Sequence, residues 1–159
     1  MLDAAERPPT YGASHDLVIG IIAGGDGAIR RAVEGAEDRC EAGARDISAY
    51  QLTALDRVIG ISAAGGAAYV LGALEAADKV GALKIALSCN AGCPIEAKAD
   101  ICIHPDTGAE VVTGSTRMKA GSAHKMILNM ISAAVMVKLG HVYENMMISA
   151  PPTLSCVTA

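Results

Sequence analysis

Aromatic side chains are scarce in this chain of 159 residues, which has four Tyr and neither Phe nor Trp although 52% of its residues are hydrophobic. Its core must therefore be built from Ala, Val, Ile, Leu and Met. Small and branched side chains of this kind allow helices to pack closely on a sheet. The length suits one domain with a real core and excludes two ordinary domains.

Positive charge is also sparse, because 13 Lys and Arg stand against 17 Asp and Glu, for a net charge of −4. No run of basic residues is longer than Arg30-Arg31. A nucleic-acid partner is therefore not expected. An anionic metabolite remains compatible with this composition, because backbone N–H groups and helix N-termini bind phosphate without net positive charge.

The five cysteines are odd in number and form no CxxC pair. They are Cys40, Cys89, Cys93, Cys102 and Cys156. This usage is typical of a reduced cytoplasmic protein. The loop that holds Cys89 and Cys93 offers no His at zinc-finger spacing, so we expect no metal site there.

Neither a signal peptide nor a membrane span is indicated by the hydropathy pattern. Residues 1–9 lack a basic segment followed by an apolar run. The most apolar stretch, Met126 to Leu139, is interrupted by polar residues and is too short to cross a bilayer. We expect no association with a membrane.

Apolar runs and helical patterns alternate along the chain. Buried parallel strands are predicted at Leu17 to Ile22, Val58 to Ser62, Leu83 to Ser88 and Asp100 to His104. Helices are predicted at Ala28 to Cys40, Tyr69 to Val80 and Thr116 to Leu139, with a shorter turn from Pro94 to Ala99. This order predicts an α/β fold with an open, doubly wound parallel sheet over residues 1–149, followed by a tail at 150–159.

Ligands of such sheets bind at the carboxyl ends of the strands, which directs attention to the loops there. Two of them are rich in glycine: Ala23 to Gly27, and Ala63 to Ala67 with Gly65 and Gly66. Both loops could present N–H groups to an anion, and tight turns explain the same glycines equally well. Neither loop has the GxGxxG or P-loop pattern, so a dinucleotide site is poorly supported.

A denser polar cluster precedes the last predicted helix. It contains hydroxyls at Thr113, Ser115, Thr116 and Ser122, interleaved with Arg117 and Lys119. One helix N-cap would explain a single hydroxyl but not all of them. The excess predicts a phosphorylated or hydroxyl-rich ligand.

Five motifs together resemble the N-acetylmuramic acid 6-phosphate etherase family of sugar isomerase (SIS) domains, which is related to the glucokinase regulatory protein. The motifs are ERPPTYG at 6–12, IIAGG at 21–25, AVEGAED at 32–38, SCN at 88–90 and GAEVVTGSTRMKAG at 108–121. The resemblance implies a flavodoxin-like three-layer fold and a homodimer. It also implies cleavage of the substrate's lactyl ether in cell-wall recycling, without metal or cofactor.

The resemblance also assigns roles to residues that periodicity would not select. Glu6 matches the acid that protonates the departing lactate, and Glu37 matches the carboxylate that takes the C2 proton. From pattern alone, both read as solvated surface carboxylates. Substrate contacts are expected from Ser62, Gly65, Gly66, Ser115, Thr116 and Lys119.

Two departures from the family pattern predict weak phosphate binding. The family's Ser-Gly-Arg-Thr-Pro loop is here Ala64-Gly65-Gly66-Ala67-Ala68, without the Ser and the Arg. The chain also begins after the family's first phosphate loop, so we expect the sheet to lack its first strand.

Two other functions stay open at this point. One is a non-catalytic phosphosugar-binding module that regulates a partner, which the depleted Ala64 to Ala68 loop favours. The other is an aldose-ketose isomerase, for which Glu110 or His104 would be the base. Etherase is preferred because Glu6 and Glu37 are both present.

Overall fold

A computed structural model describes residues Met1–Ala150, which form two compact units. One unit consists of Met1–Gly20 together with the chain from Lys125 onward, and the other is Ile21–His124. The predicted tail at 150–159 lies outside the described residues except for Ala150, so that boundary stays a prediction.

A parallel sheet forms the centre of the Ile21–His124 unit. Its strands β1 (Arg57–Ile61), β2 (Leu83–Leu87) and β3 (Ile101–Ile103) lie in the order β1-β2-β3. The register pairs Ile59 with Ile85, and Ile85 in turn with Ile101. The α/β class and the parallel sheet expected from the sequence are thereby confirmed.

Helix α4 (Ala68–Lys79) connects β1 to β2 and packs on both strands, while α3 (Cys40–Ser48) packs against α4. Glycines allow the two helices to approach closely. A side chain at Gly43 would collide with the backbone of Tyr69, and one at Gly72 would collide with that of Cys40. The core beneath them consists of small and branched residues, as expected without large rings: Ile47, Val58, Leu74, Ala77, Ala82, Ala86, Cys93 and Ile95.

The strand predicted at Leu17 to Ile22 is wrong, because this segment forms no strand. Leu17 and Ile19 are exposed, and the Ile22 carbonyl accepts a turn hydrogen bond from the N–H of Gly25. A strand needs a neighbour for its backbone groups. Within residues 1–150, β1 pairs with β2 alone and has no strand on its other side.

The helix predicted at Ala28 to Cys40 is also wrong. Short 3-10 turns at Asp26–Ile29 and Ala36–Asp38 occupy this segment, and α3 begins only at Cys40. The cause is Gly35, whose φ of +68° breaks any continuous right-handed helix. The predicted turn near Pro94 to Ala99 is a 3-10 turn at Glu96–Lys98.

The last long helix, α5 (Lys119–Lys138), begins three residues later than expected. Helices α1 (Leu2–Ala5) and α2 (Arg7–Tyr11) stand at the start of the chain, and strands β4 (Val142–Tyr143) and β5 (Met146–Met147) form a short antiparallel hairpin after α5. No helix within residues 1–150 combines the length and apolar character needed to cross a bilayer.

Candidate functional site

A cleft of about 590 Å³ opens in the Ile21–His124 unit beyond the carboxyl end of β1. Its position matches the expectation for parallel sheets, where ligands bind outside the carboxyl ends of the strands. Its lining includes four of the site residues predicted from the sequence, namely Glu37, Ser62, Gly66 and Thr116. The structure therefore brings together residues that are separated by up to 79 positions in the chain.

Glu37 lies in the 3-10 turn Ala36–Asp38, directly after Gly35. Ala36 is buried and anchors the turn, whereas Glu37 and Asp38 are exposed and line the cleft. The left-handed conformation at Gly35 thus ends the preceding loop and orients two adjacent carboxylates toward open space. A carboxylate in a solvated cleft of this kind can accept a proton from a bound substrate.

Ser62 directly follows β1 and organises the glycine loop. Its carbonyl and its Oγ both accept hydrogen bonds from the Gly65 N–H, at 3.0 and 3.1 Å. Gly65 has φ of +77°, and a side chain there would collide with Cys93. The Gly65 N–H is therefore engaged within the loop, whereas Gly66 is exposed and lines the cleft.

Among the residues of the hydroxyl-rich segment before α5, Thr116 is the one that lines the cleft. Ser115 Oγ accepts a hydrogen bond from the Arg117 N–H, and Lys119 Nζ donates to the Ala109 carbonyl at 2.6 Å. Neither Ser115 nor Lys119 is part of the cleft lining. Their expected roles as substrate contacts stay predictions.

Glu110, the alternative isomerase base, caps helix α5. Its two carboxylate oxygens accept hydrogen bonds from the N–H groups of Lys119 and Ala120, at 3.2 and 3.1 Å. These backbone hydrogen bonds, first from Ala120 and then from Lys119, hold the pKa of Glu110 below its ordinary value. A carboxylate held in this way is a poor proton acceptor, which disfavours Glu110 as the base of an isomerase.

Glu6 belongs to the other unit, where it is exposed at the junction of α1 and α2. The adjacent Arg7 is buried and forms an ion pair with Asp3, which also accepts a hydrogen bond from Ser132 Oγ at 3.0 Å. Pro8 and Pro9 favour the first turn of α2. This network fixes the backbone on both sides of Glu6 while its side chain stays in solvent.

Tyr69 lines the cleft, although the sequence analysis did not select it. Its hydroxyl donates a 2.8 Å hydrogen bond to Asp46 on α3. Burial, followed by the hydrogen bond and the negative charge of Asp46, raises the pKa of Tyr69 to about 12. The same bond, with help from Arg45, lowers the pKa of Asp46. The sequence signal that could have identified Tyr69 is its position at the start of a helix, directly after a glycine-rich loop.

We expect Tyr69→Phe to lower the free energy of unfolding by about 1–2 kcal/mol at pH 7, because a partly buried hydrogen bond to a charged group is lost. The pKa of Asp46 is lowered in the folded state, so its contribution is complete above an unfolded pKa of about 4 and is lost as pH falls through the folded pKa. Urea unfolding from pH 7 down to about pH 2 should therefore show the difference between wild type and variant constant above about pH 4 and shrinking below it.

The matched control for this prediction is Tyr50→Phe, at a side chain that is 49% exposed. It should leave the free energy of unfolding unchanged over the whole pH range. Equal stability of Tyr69→Phe and wild type at pH 7 would contradict the structural role assigned to the Tyr69 hydroxyl.

Comparison with known proteins gives two findings. The family model of the glucokinase regulatory protein N-terminal SIS domain matches residues 6–78. N-acetylmuramic acid 6-phosphate etherases from Yersinia pestis (strain Pestoides F) and from Yersinia pseudotuberculosis (serotype O:1b, strain IP 31758) are each 52% identical to the chain over 153 residues. The alignments cover 96% of this chain and 52% of each relative.

The parallel sheet places this chain in the α/β class, and residues 6–78 match the model of an SIS domain. The chain is, more particularly, a homologue of the N-acetylmuramic acid 6-phosphate etherases, as its motifs predicted. It spans about half the length of the curated relatives it matches.

Proposed function

We propose that this chain is a carbon-oxygen lyase that cleaves the lactyl ether of N-acetylmuramic acid 6-phosphate. The products are N-acetylglucosamine 6-phosphate and D-lactate, in a cytoplasmic step of peptidoglycan recycling. The observation that carries this proposal is the 52% identity over 153 residues to proteins named for that activity. The cleft lined by Glu37, Ser62 and Thr116 supports this proposal.

The chemistry requires a base and an acid. Opening of the sugar ring exposes an aldehyde at C1, which acidifies the hydrogen at C2. A base removes that proton while an acid protonates the ether oxygen at C3, so the C3–O bond breaks and lactate leaves. Water then adds to the unsaturated aldehyde at C3, and C2 regains a proton. The two protein groups exchange roles in this second half.

Glu37 is the base at C2 in this proposal, and Glu6 is the acid at the ether oxygen. The position of Glu37 in the cleft beside two hydroxyl-bearing residues supports its role. The exposure of Glu6 on a fixed backbone suits a group that exchanges protons with substrate and water. The proposal also includes a homodimer that completes the site. Sedimentation velocity, which gives the mass of the particle in solution, tests this part.

The phosphate is held mainly by neutral groups. The cleft lining, drawn from the described residues, includes no Lys or Arg. The Ser62 and Thr116 hydroxyls and the backbone N–H of Gly66 are among the neutral donors that the cleft offers to an anion. Neutral donors bind phosphate more weakly than an Arg fork does, so turnover is expected to be slow.

The non-catalytic regulatory module is not favoured. The family model named for a regulatory protein covers residues 6–78, whereas the etherases align over 96% of the chain. The two functions differ in one observable: an etherase releases D-lactate, and a binding module leaves its ligand intact. Incubation of the chain with N-acetylmuramic acid 6-phosphate, followed by enzymatic assay of D-lactate, distinguishes the two functions. We expect slow release of one D-lactate for each molecule of substrate consumed.

A further inference from the structure

A second group of chemically active side chains lies at the β3 edge of the sheet, outside the cleft described above. Glu96, Cys102 and His104 each offer one ligand atom there, and these atoms all lie within 4.8 Å of one another. Cys102 belongs to β3 and His104 follows its last residue, so their spacing of two places them on one face of the extended chain. Glu96 lies in the 3-10 turn that precedes β3.

The distances suit a small divalent ion. Zinc bonds of about 2.0–2.3 Å in a tetrahedron place ligand atoms roughly 3.3–3.8 Å apart. His104 Nε2 and Glu96 Oε1 are 3.2 Å apart, close to this separation before any metal is present. Cys102 needs a movement of roughly 1 Å to complete the set, which side-chain rotation supplies. The side chains of His104 and Glu96 are 30% and 19% exposed, so an ion can enter.

A supporting hydrogen bond orients the imidazole. Metal-binding histidines generally donate their second ring N–H to a fixed acceptor. His104 Nδ1 lies 3.4 Å from Oγ of Ser88, a fully buried residue whose hydroxyl is itself held by the Asn90 carbonyl at 3.0 Å. This arrangement leaves Nε2 directed at Glu96 and available as a ligand.

We propose that Glu96, Cys102 and His104 bind one Zn²⁺ or a similar borderline-soft divalent ion, with water in the fourth position. A donor set of thiolate, imidazole and carboxylate selects such ions over Mg²⁺ and Ca²⁺, which prefer oxygen ligands alone. The site is separate from the proposed lyase reaction. Its effect is structural: the ion links the Glu96–Lys98 turn to β3, so binding stabilises the folded chain.

The test uses the full chain, treated with a chelator and then titrated with Co²⁺. One equivalent should bind with a thiolate-to-cobalt charge-transfer band, and Zn²⁺ should abolish the band by displacement. Cys102→Ser should remove the band, while His104→Gln and Glu96→Gln should each weaken binding by at least about 10-fold. Cys40→Ser, at a free thiol on α3, should leave both readings unchanged.

Thermal unfolding supplies a second measurement that does not depend on cobalt spectra. Zn²⁺ should raise the Tm of wild type and of Cys40→Ser, and the rise at the same Zn²⁺ concentration should be smaller in Glu96→Gln, because its affinity for the ion is lower. The Tm of Glu96→Gln without metal controls for misfolding. Absence of a charge-transfer band in wild type would overturn the proposal. A band that survives Cys102→Ser, or a Tm rise in Glu96→Gln as large as that of wild type, would overturn it as well.

Discussion

Replacing Glu37 by Gln should reduce D-lactate release from N-acetylmuramic acid 6-phosphate by about 10²–10⁴-fold, the usual contribution of a positioned proton acceptor. The amide keeps the size and polarity of the side chain but cannot take the C2 proton. The loss should fall on kcat rather than KM, because the interaction matters in the transition state. The rate of lactate release at saturating substrate is the measurement.

Asp38→Asn is the matched control for this prediction. Asp38 is the next residue in the same 3-10 turn, lines the same cleft and carries the same charge. Its replacement removes the same unit of charge from the same turn, and it should cost less than about 10-fold if proton transfer belongs to Glu37 alone. Equal losses for the two variants would contradict the role of Glu37 as base.

Restoring the family's glycine loop should produce the largest gain. Ala64→Ser combined with Gly66→Arg should raise kcat/KM by about 10²-fold or more, because each charge-assisted hydrogen bond to phosphate contributes on the order of 1.5–3 kcal/mol. Both positions line the cleft, and a Cβ added at Gly66 meets no atom within 4 Å, so a side chain can start there without a clash. Binding energy from the remote phosphate also lowers the barrier at the reacting carbons.

Gly66→Gln separates charge from bulk in this experiment. Gln is polar and much larger than Gly but carries no charge, so its gain should stay well below that of Gly66→Arg. Similar gains for Gln and Arg, or no gain from the double restoration, would show that the phosphate does not reach the Ala64 to Ala68 loop.

The sequence was sufficient to predict three strands and one helix of the Ile21–His124 unit. The apolar runs that became β1, β2 and β3 and the helical pattern of α4 were all predicted. The Leu17 to Ile22 segment is equally apolar but forms no strand. Whether such a run becomes a strand depends on a neighbouring strand, which a local pattern does not reveal.

The residues of the candidate site also differ in whether a local sequence pattern could reveal them. Thr116 was predicted from an excess of hydroxyls, and the structure places it in the cleft. Glu37 came only from the family resemblance, because a carboxylate in an exposed turn looks like any solvated surface group. The sequence analysis missed Tyr69 and the proposed metal ligand Cys102. The role of each depends on a partner that is distant in the sequence or lies across a turn.

The most direct test of the proposed etherase reaction is to run it in D₂O and analyse both products by mass spectrometry. Elimination across C2 and C3 followed by hydration predicts D-lactate together with N-acetylglucosamine 6-phosphate that carries one deuterium at C2. D-lactate release with the original hydrogen retained at C2 would contradict the elimination. Failure to release D-lactate at chain concentrations comparable to substrate would contradict the proposed activity itself.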